Sequence, residues 1–259
     1  GEIYHFSCSN EKNYVLKFSK NHKTNLALEA WMLRYLQDHS HLLVPKIYYA
    51  QNNMIVMDYL HAESGMSSRA EEHAAEMLAN LHSNESDDQR YGLERDTVIG
   101  DLHQPNNLTQ NWVSFFRDHR IFFMAQAAYD EGVLPLSVFK QIENVCDNLP
   151  HFLEEVSTPR LIHGDIWGGN VICSQNKIAG FIDPAIYYAD PEIELAFTTM
   201  FSTFGEIFFK RYNEIQPIRD GFFERRKDLY LMYPYLTHVR IYRGGGYVNS
   251  LQAILKKFL

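Results

Sequence analysis

Two short segments carry carboxylates at a spacing that chemistry can use. In LIHGDIWGGN, residues 161–170, Asp165 and Asn170 lie five positions apart on a glycine-rich stretch that follows an apolar run. Eighteen residues past Asp165, the apolar run GFID ends in Asp183. An aspartate so placed can accept a proton from an attacking hydroxyl. An amide oxygen and a second carboxylate can hold Mg²⁺ against phosphates. Together they suit phosphoryl transfer from ATP. Glycines let the backbone bend closely around a bound group. The plain alternative is a polar turn between two strands, and the correct spacing of both halves argues against it.

The order H-x-D-x4-N, strand, Asp is that of kinase-like enzymes, and it makes demands upstream. A lysine must stand on a strand and a glutamate on the helix that follows. Lys17 sits inside the apolar YVLKFS, and Glu29 lies twelve residues on in TNLALEAWMLRYLQDH. A lysine within an apolar strand is costly unless it is paired or faces a cleft. A solvent-facing lysine is the plain alternative. IVMDYL then leads out of the first sixty residues, and by position the backbone of Met57, Asp58 and Tyr59 would meet an adenine edge.

The elements that must position these residues fall into two parts. Residues 1–59 read as strand, strand, helix, strand, strand: EIYHFSCS and NYVLKFS joined at NEKN, the Glu29 helix capped by Thr24 or Asn25, then KIYYA and NMIVMDYL joined at QNN. Leu26, Ala30, Leu33 and Leu36 fall on one face of that helix. Residues 60–259 read as mostly helical, through RAEEHAAEMLANLH, NWVSFFRDHRIFFMAQAA and LSVFKQIENVCDNLPHFLEEV, the last interrupted near Pro150. SNESDDQRYGLERD reads as a surface loop. RLIHG and IAGFID read as short extended pieces, and IELAFTTMFSTFGEIFF as one buried helix. The expected class is α+β, a protein-kinase-like two-lobed fold with a small antiparallel sheet lobe and a larger helical lobe.

Composition sets the outer bounds. The 259 residues are 46% hydrophobic and 22% charged, an ordinary globular mix with material for a sizeable core. The formal net charge of -8 disfavours nucleic acid or an anionic membrane surface as partner. Cys8, Cys146 and Cys173 form neither a disulfide framework nor a zinc site, so a reducing cytoplasm fits. No apolar run is long enough to span a membrane.

LIHGDIWGGN followed by FIDPAIYYADPEIELA resembles the fructosamine kinase, or ketosamine-3-kinase, family, a relative of aminoglycoside phosphotransferases and choline kinases. YGLERDTVIGDLHQPN, NWVSFFRDHR and LMYPYLTHVRIYRGGGY resemble it too, in the same order, across nearly the whole chain. Trp167 within the H-G-D segment and the D-P-A at 183–185 separate this family from its relatives. The resemblance implies transfer of the ATP γ-phosphate to the 3-hydroxyl of a ketosamine, on a small amine or a protein lysine, leading to deglycation. It implies Asp165 as base, Asn170 and Asp183 as Mg²⁺ ligands, Lys17 as phosphate contact, Glu29 as its anchor, and Trp167 as a wall beside the sugar. The fold's small lobe has five strands where four are read here, so the first strand and the phosphate-covering turn are expected to precede GEIYHF.

Other features have two readings. Glu192 and Glu194 either complement a helix dipole or support the metal loop. His163 is expected to bond backbone near Asp183. Gln104, Asn106 and Trp112 line a sugar pocket or belong to an ordinary loop. RGGGY at 243–247 reads as a loop, and Arg225, Arg226 and Lys227 as a solvated helix face. His73, His82 and His238 lack metal-ligand spacing. Three rival functions follow: a kinase for an aminoglycoside or amino alcohol, a silent nucleotide-binding protein, and a metallophosphatase, which lacks enough ligands.

Overall fold

The computed structural model describes every residue except Asn10, 21–24, Ser64 and Ser157. A four-stranded antiparallel sheet comes first: β1 (Glu2–Ser7), β2 (Asn13–Phe18), β3 (Ile47–Gln51) and β4 (Met54–Asp58), in the spatial order β1-β2-β4-β3. The β1–β2 register pairs Ile3 with Lys17 and Ser7 with Asn13. Helix α1 (Leu26–His39) crosses the chain path between β2 and β3. The Asn25 side chain caps it by accepting from the Leu28 amide at 3.2 Å, and the other expected cap, Thr24, lies outside the described residues.

The apolar face of α1 divides between two clusters. Leu26, Ala30 and Leu33 pack on Ile47, Ile55 and Met57 of the sheet. Met32 and Leu36 join the main core. One helix thereby fastens the sheet to the helical part, and it carries Glu29 between those two contacts.

The helical part begins with α2 (Ser68–Leu81), then a hairpin of β5 (Thr97–Ile99) and β6 (Leu102–Gln104). A single long helix follows as α3 (Trp112–Phe116), a π-helical stretch (Arg117–Phe122) and α4 (Phe123–Asp130). The π turns interrupt the 3.6-residue period that the sequence suggests, and they place Arg120 in the core. Next come α5 (Leu136–Asp147), β7 (Arg160–Ile162), β8 (Val171–Ser174), β9 (Lys177–Phe181) and β10 (Tyr187–Ala189). The two extended pieces expected here do not pair with each other. β7 pairs with β10, and β9 with β8. The chain ends with α6 (Glu192–Met200), α7 (Glu206–Ile215), α8 (Lys227–Ile241) and α9 (Gly245–Leu255).

Three expectations are corrected. IELAFTTMFSTFGEIFF is not one helix: α6 stops at Met200, Ser202 takes φ 52°, and α7 restarts at Glu206. RGGGY is not a free loop, because Gly244 at φ 94° turns the chain and Gly245 opens α9. The loop 83–96 is not purely surface. Tyr91 and Leu93 are buried, and Gly92 bridges to Tyr188. No helix among the described residues is long and apolar enough to cross a membrane.

Candidate active site

Strand alternation points Lys17 inward, and α1 brings Glu29 to it. The Lys17 ammonium donates to both Glu29 carboxylate oxygens, at 2.9 and 2.7 Å, and to Asp183 Oδ1 at 2.7 Å. One cation thus joins the sheet, α1 and the segment after β9. Burial disfavours the Lys17 charge, but the two carboxylates outweigh it and raise its pKa. The carboxylates share unequally. Burial also pushes Asp183 up, yet Lys17 wins there and holds it below the usual range. Glu29, deeper and beside the Asp183 charge, is pushed up to about 7 by burial despite Lys17.

Asp165 lies on the loop after β7. Its carboxylate Oδ2 accepts from Asn170 Nδ2 at 3.0 Å, and its carbonyl accepts from the same nitrogen at 2.9 Å. Burial raises its pKa to about 7, against the lowering effect of the Asn170 bond. Asp183 takes φ 53°, a left-handed conformation that aspartate tolerates better than most residues. Such geometry holds where surrounding structure fixes it.

That surrounding structure is a set of bonds to backbone. Glu194 of α6, fully buried, accepts from the amides of Gly164 at 2.5 Å and His163 at 3.3 Å. It also takes His82 Nε2 at 2.8 Å, while His82 Nδ1 meets the Tyr212 hydroxyl at 2.7 Å. The Ala185 amide donates to the His163 carbonyl at 2.8 Å. Gly164 stands at φ 86°, and a Cβ there would lie 2.0 Å from the Ala185 carbonyl oxygen. The glycine of H-G-D and the alanine of D-P-A are therefore one contact seen from two sides.

A second network underlies the first. Gln104 Nε2 donates to the Ala185 carbonyl at 3.0 Å and to Thr97 Oγ1 at 2.7 Å, and accepts at Oε1 from the Tyr233 hydroxyl. Asn106 Nδ2 donates to Thr97, and Arg120 donates to Asn106 Oδ1 at 2.6 Å and to the Pro105 carbonyl at 2.7 Å. The Arg120 guanidinium lies 3.8 Å from the Tyr187 ring centroid, so aromatic faces surround a fully buried cation.

Lys17, Glu29, Asp165, Trp167, Asn170 and Asp183 line one cleft of about 590 Å³ between sheet and helical part. Trp167 is 41% exposed, its ring packed over Gly169, where a Cβ would come within 2.3 Å of it. Met57, Asp58 and Tyr59 are not among the residues lining this cleft. The Asp58 amide donates to the Lys46 carbonyl and its carboxylate accepts from Lys46 and Tyr48, while the Tyr59 amide faces the Asn13 carbonyl at 3.4 Å. The Asp58 and Tyr59 amides are thus engaged within the protein.

Elsewhere the structure amends the reading of single residues. His163 bonds the Asp165 amide through Nδ1 at 3.4 Å, and its Nε2 lies beside the Ile182 backbone without a well-formed hydrogen bond. Burial lowers its pKa to about 4, so it is neutral at pH 7. Gln104, Asn106 and Trp112 are all buried and line no part of the cleft. Arg226 is not solvated: it donates to Glu192 at 2.6 and 2.9 Å, and Arg219 joins Glu192 and Asp190. Glu192 is thus the centre of a buried ion cluster, whereas Glu194 holds the Asp165 loop.

The profile of the family described as fructosamine kinase matches residues 1–259. The chain belongs to the fructosamine kinase family. It is 32% identical over 245 residues to a chloroplastic protein-ribulosamine 3-kinase of rice, covering 89% of this chain and 68% of that one. It is 29% identical over 263 residues to a "probable ketoamine kinase" of Vibrio parahaemolyticus, covering 100% and 86%. A crystal structure described as a candidate fructosamine-3-kinase from Thermobifida fusca superposes with a TM-score of 0.87 at 25% identity, over 98% and 89% of the two chains. A macrolide 2'-phosphotransferase shares the protein-kinase-like fold at a TM-score of 0.64 and 16% identity, covering 99% and 86%. As a fructosamine kinase family member the chain is an ATP-dependent phosphotransferase.

The sequence alone offered Glu194 as a support of the loop only on a par with Glu192, weighed His82 only for metal spacing, and passed over Thr97 and Arg120. Their signal is weak because each acts on backbone or on another polar side chain at a separation that follows no helix or strand period, which leaves no motif.

Proposed function

We propose that this chain transfers the ATP γ-phosphate to the 3-hydroxyl of a ketosamine. The observation that carries the reading is the single cleft that gathers Lys17, Glu29, Asp165, Asn170 and Asp183 beside the exposed Trp167. The names of the rice and Vibrio relatives support a sugar-amine acceptor.

The roles follow from the chemistry of each group. Asp165, with its pKa near neutrality, accepts the hydroxyl proton as the oxygen attacks phosphorus. Asn170 holds that carboxylate through Nδ2, which turns its amide oxygen away from Asp165. Lys17 contacts the phosphates, and Glu29 keeps the ammonium in place. Trp167 forms the wall beside the sugar.

Mg²⁺ fits the donor set. Asn170 and Asp183 offer oxygen ligands, and Mg²⁺ commonly takes only one or two protein carboxylates plus substrate phosphates. No cluster of three or more His, Cys, Asp and Glu suited to a metal occurs among the described residues, which agrees with an ion completed by nucleotide. When bound, the ion would neutralise phosphate charge.

The test is ATP turnover on a panel containing fructose- and ribulose-derived ketosamines, an aminoglycoside and an amino alcohol, with the product position assigned by NMR. A 3-phosphate on a ketosamine is the expected result. Turnover of the aminoglycoside or amino alcohol alone overturns the acceptor assignment.

A further inference from the structure

Arg120 departs from the rules of a protein interior in three ways. It is fully buried, yet no carboxylate among the described residues pairs with it. Its acceptors are neutral: the Pro105 and His119 carbonyls at 2.7 and 2.9 Å, and Asn106 Oδ1 at 2.6 Å. Its Nε has no hydrogen-bond partner among the described residues. It also sits in the π-helical stretch, a rare form that recurs at functional positions. A dry cation without a counter-charge costs stability. An apolar side chain packed among Phe115, Tyr187 and Tyr233 would avoid that cost. Departures of this kind collect where function needs them.

What the guanidinium holds is the segment Gln104, Pro105 and Asn106. With Asn106 fixed, its Nδ2 meets Thr97 Oγ1 at 2.8 Å, and Gln104 Nε2 meets the same oxygen at 2.7 Å. This group in turn holds three successive residues just past Asp183 and Pro184. Gln104 holds the Ala185 carbonyl at 3.0 Å, the Thr97 hydroxyl holds the Ile186 carbonyl at 3.4 Å, and Arg120 holds the Tyr187 ring. The far side of those residues is the H-G-D loop. Tyr187 pairs with Ile162 across β10 and β7, and the Ala185 amide donates to the His163 carbonyl, with its own carbonyl against Gly164. Tyr233 closes a second, shorter path. Its ring lies 5.5 Å from the guanidinium, and its hydroxyl donates to Gln104 Oε1. Burial raises the pKa of that hydroxyl, Arg120 opposes the rise and Asp165 adds to it, so Tyr233 stands in the field of both charges.

We propose that Arg120 is a positioning residue for Asp165. It lies outside the cleft and meets no substrate. It acts by fixing residues 104–106, which fix residues 185–187, which fix the loop that carries Asp165. The inference rests on Asp165 being the base, and it is independent of which hydroxyl compound is the acceptor.

Arg120→Lys keeps the charge and loses the planar fork that spans Pro105 and Asn106. On whichever member of the acceptor panel turns over, kcat is expected to fall about 10–10²-fold, with KM for ATP kept within about threefold. The deciding readout is the same change made in Asp165→Asn. If Arg120 works through the base, little is left to lose there, and Arg120→Lys costs less than about threefold. Full multiplication of the two losses overturns the inference, because Arg120 then acts elsewhere or on stability alone. Unchanged turnover by Asp165→Asn itself removes the base assignment, and the inference falls with it. If Arg120→Lys does not fold, Thr97→Val breaks the relay one step further on, with the same outcomes expected. Amide exchange supplies a readout free of substrate. The peptide 161–170 should exchange about tenfold faster in the variant, with α7 unchanged. Equal protection of 161–170 in both proteins overturns the inference, and so does equal loosening of α7, which is general destabilisation.

Discussion

The two faces of the cleft are built on different physics. On the sheet side, one ammonium is shared by two carboxylates: Lys17 with Glu29 and Asp183, their side chains 14%, 12% and 45% exposed. All the bonds are between side chains, and the charges are only partly cancelled, since Glu29 is pushed up to about 7 while Asp183 is held down. On the helical side, Glu194 and Gln104 grip backbone, at Gly164, His163 and Ala185, from full burial. The first arrangement can exchange one ionic partner for another when a phosphate or cation arrives. The second has no partner to exchange and fixes where Asp165 stands. Substitutions on the helical face should therefore act on kcat, and those on the sheet face on the handling of ATP.

The largest effect is expected at the residue the helical face exists to place. Asp165→Asn keeps size and the contact with Asn170 but removes the proton acceptor. A drop in kcat of about 10²–10⁴-fold is expected, with ATP affinity kept within about threefold. Single-turnover kinetics beside nucleotide binding by calorimetry checks both halves. Unchanged turnover would take Asp165 out of the proton transfer.

Glu194→Gln tests the clamp. Glu194 carries a depressed pKa, because His82 and the loop amides outweigh its burial. Losing the charge leaves His82 and two backbone donors without a strong acceptor in a dry site. Weakening hydrogen bonds to a buried charged acceptor in this way costs about 1–3 kcal/mol. The variant should show a lower denaturant midpoint and a reduced kcat with KM for ATP little changed. An unaltered kcat in the folded variant would mean that the loop holds its shape without Glu194.

Lys17→Met breaks the other face. The two carboxylates left behind can relieve their repulsion by protonating Glu29, already near neutrality. The stability cost should thus be smaller than for Glu194→Gln. KM for ATP should rise and kcat/KM for ATP fall by about 10²-fold, the scale of losing one charged phosphate contact. A fall in kcat alone, with ATP affinity intact, would erase the contrast between the faces.

What the sequence made legible divides along the same line. The sheet-side pair could be read because it obeys strand alternation and helix order: Lys17 on β2 and Glu29 in the first turns of α1. Asp165, Asn170 and Asp183 could be read because their spacing is local. The clamp could not. A carboxylate that bonds the backbone of residue 164 from position 194 answers to no period, and Glu194 stood level with Glu192, whose partners are Arg219 and Arg226. Likewise the break at 201–205 hides inside an apolar run, where hydrophobicity alone cannot tell one helix from two. The adenine edge at Met57–Tyr59 was placed by position only, with no local spacing or period behind it.

The remaining expected effect is graded rather than all-or-none, and it lies in pH. Burial raises the Asp165 pKa to about 7, well above the ordinary value near 4 of an unfolded chain. A base must be deprotonated to act, so kcat/KM should climb about tenfold per pH unit up to roughly 7 and then level off. Stability should run the opposite way. The native state binds the extra proton, so the stabilising effect of that proton is complete below about pH 4 and is lost as pH rises through about 7. The gap between those two pKa values corresponds to at most about 4 kcal/mol. Asp165→Asn should therefore melt higher than wild type at pH 8 and nearly level with it at pH 4, by calorimetry at both pH values. If the two proteins differ equally at both, the burial of Asp165 is not what sets its proton affinity, and the helical face places the residue without tuning it.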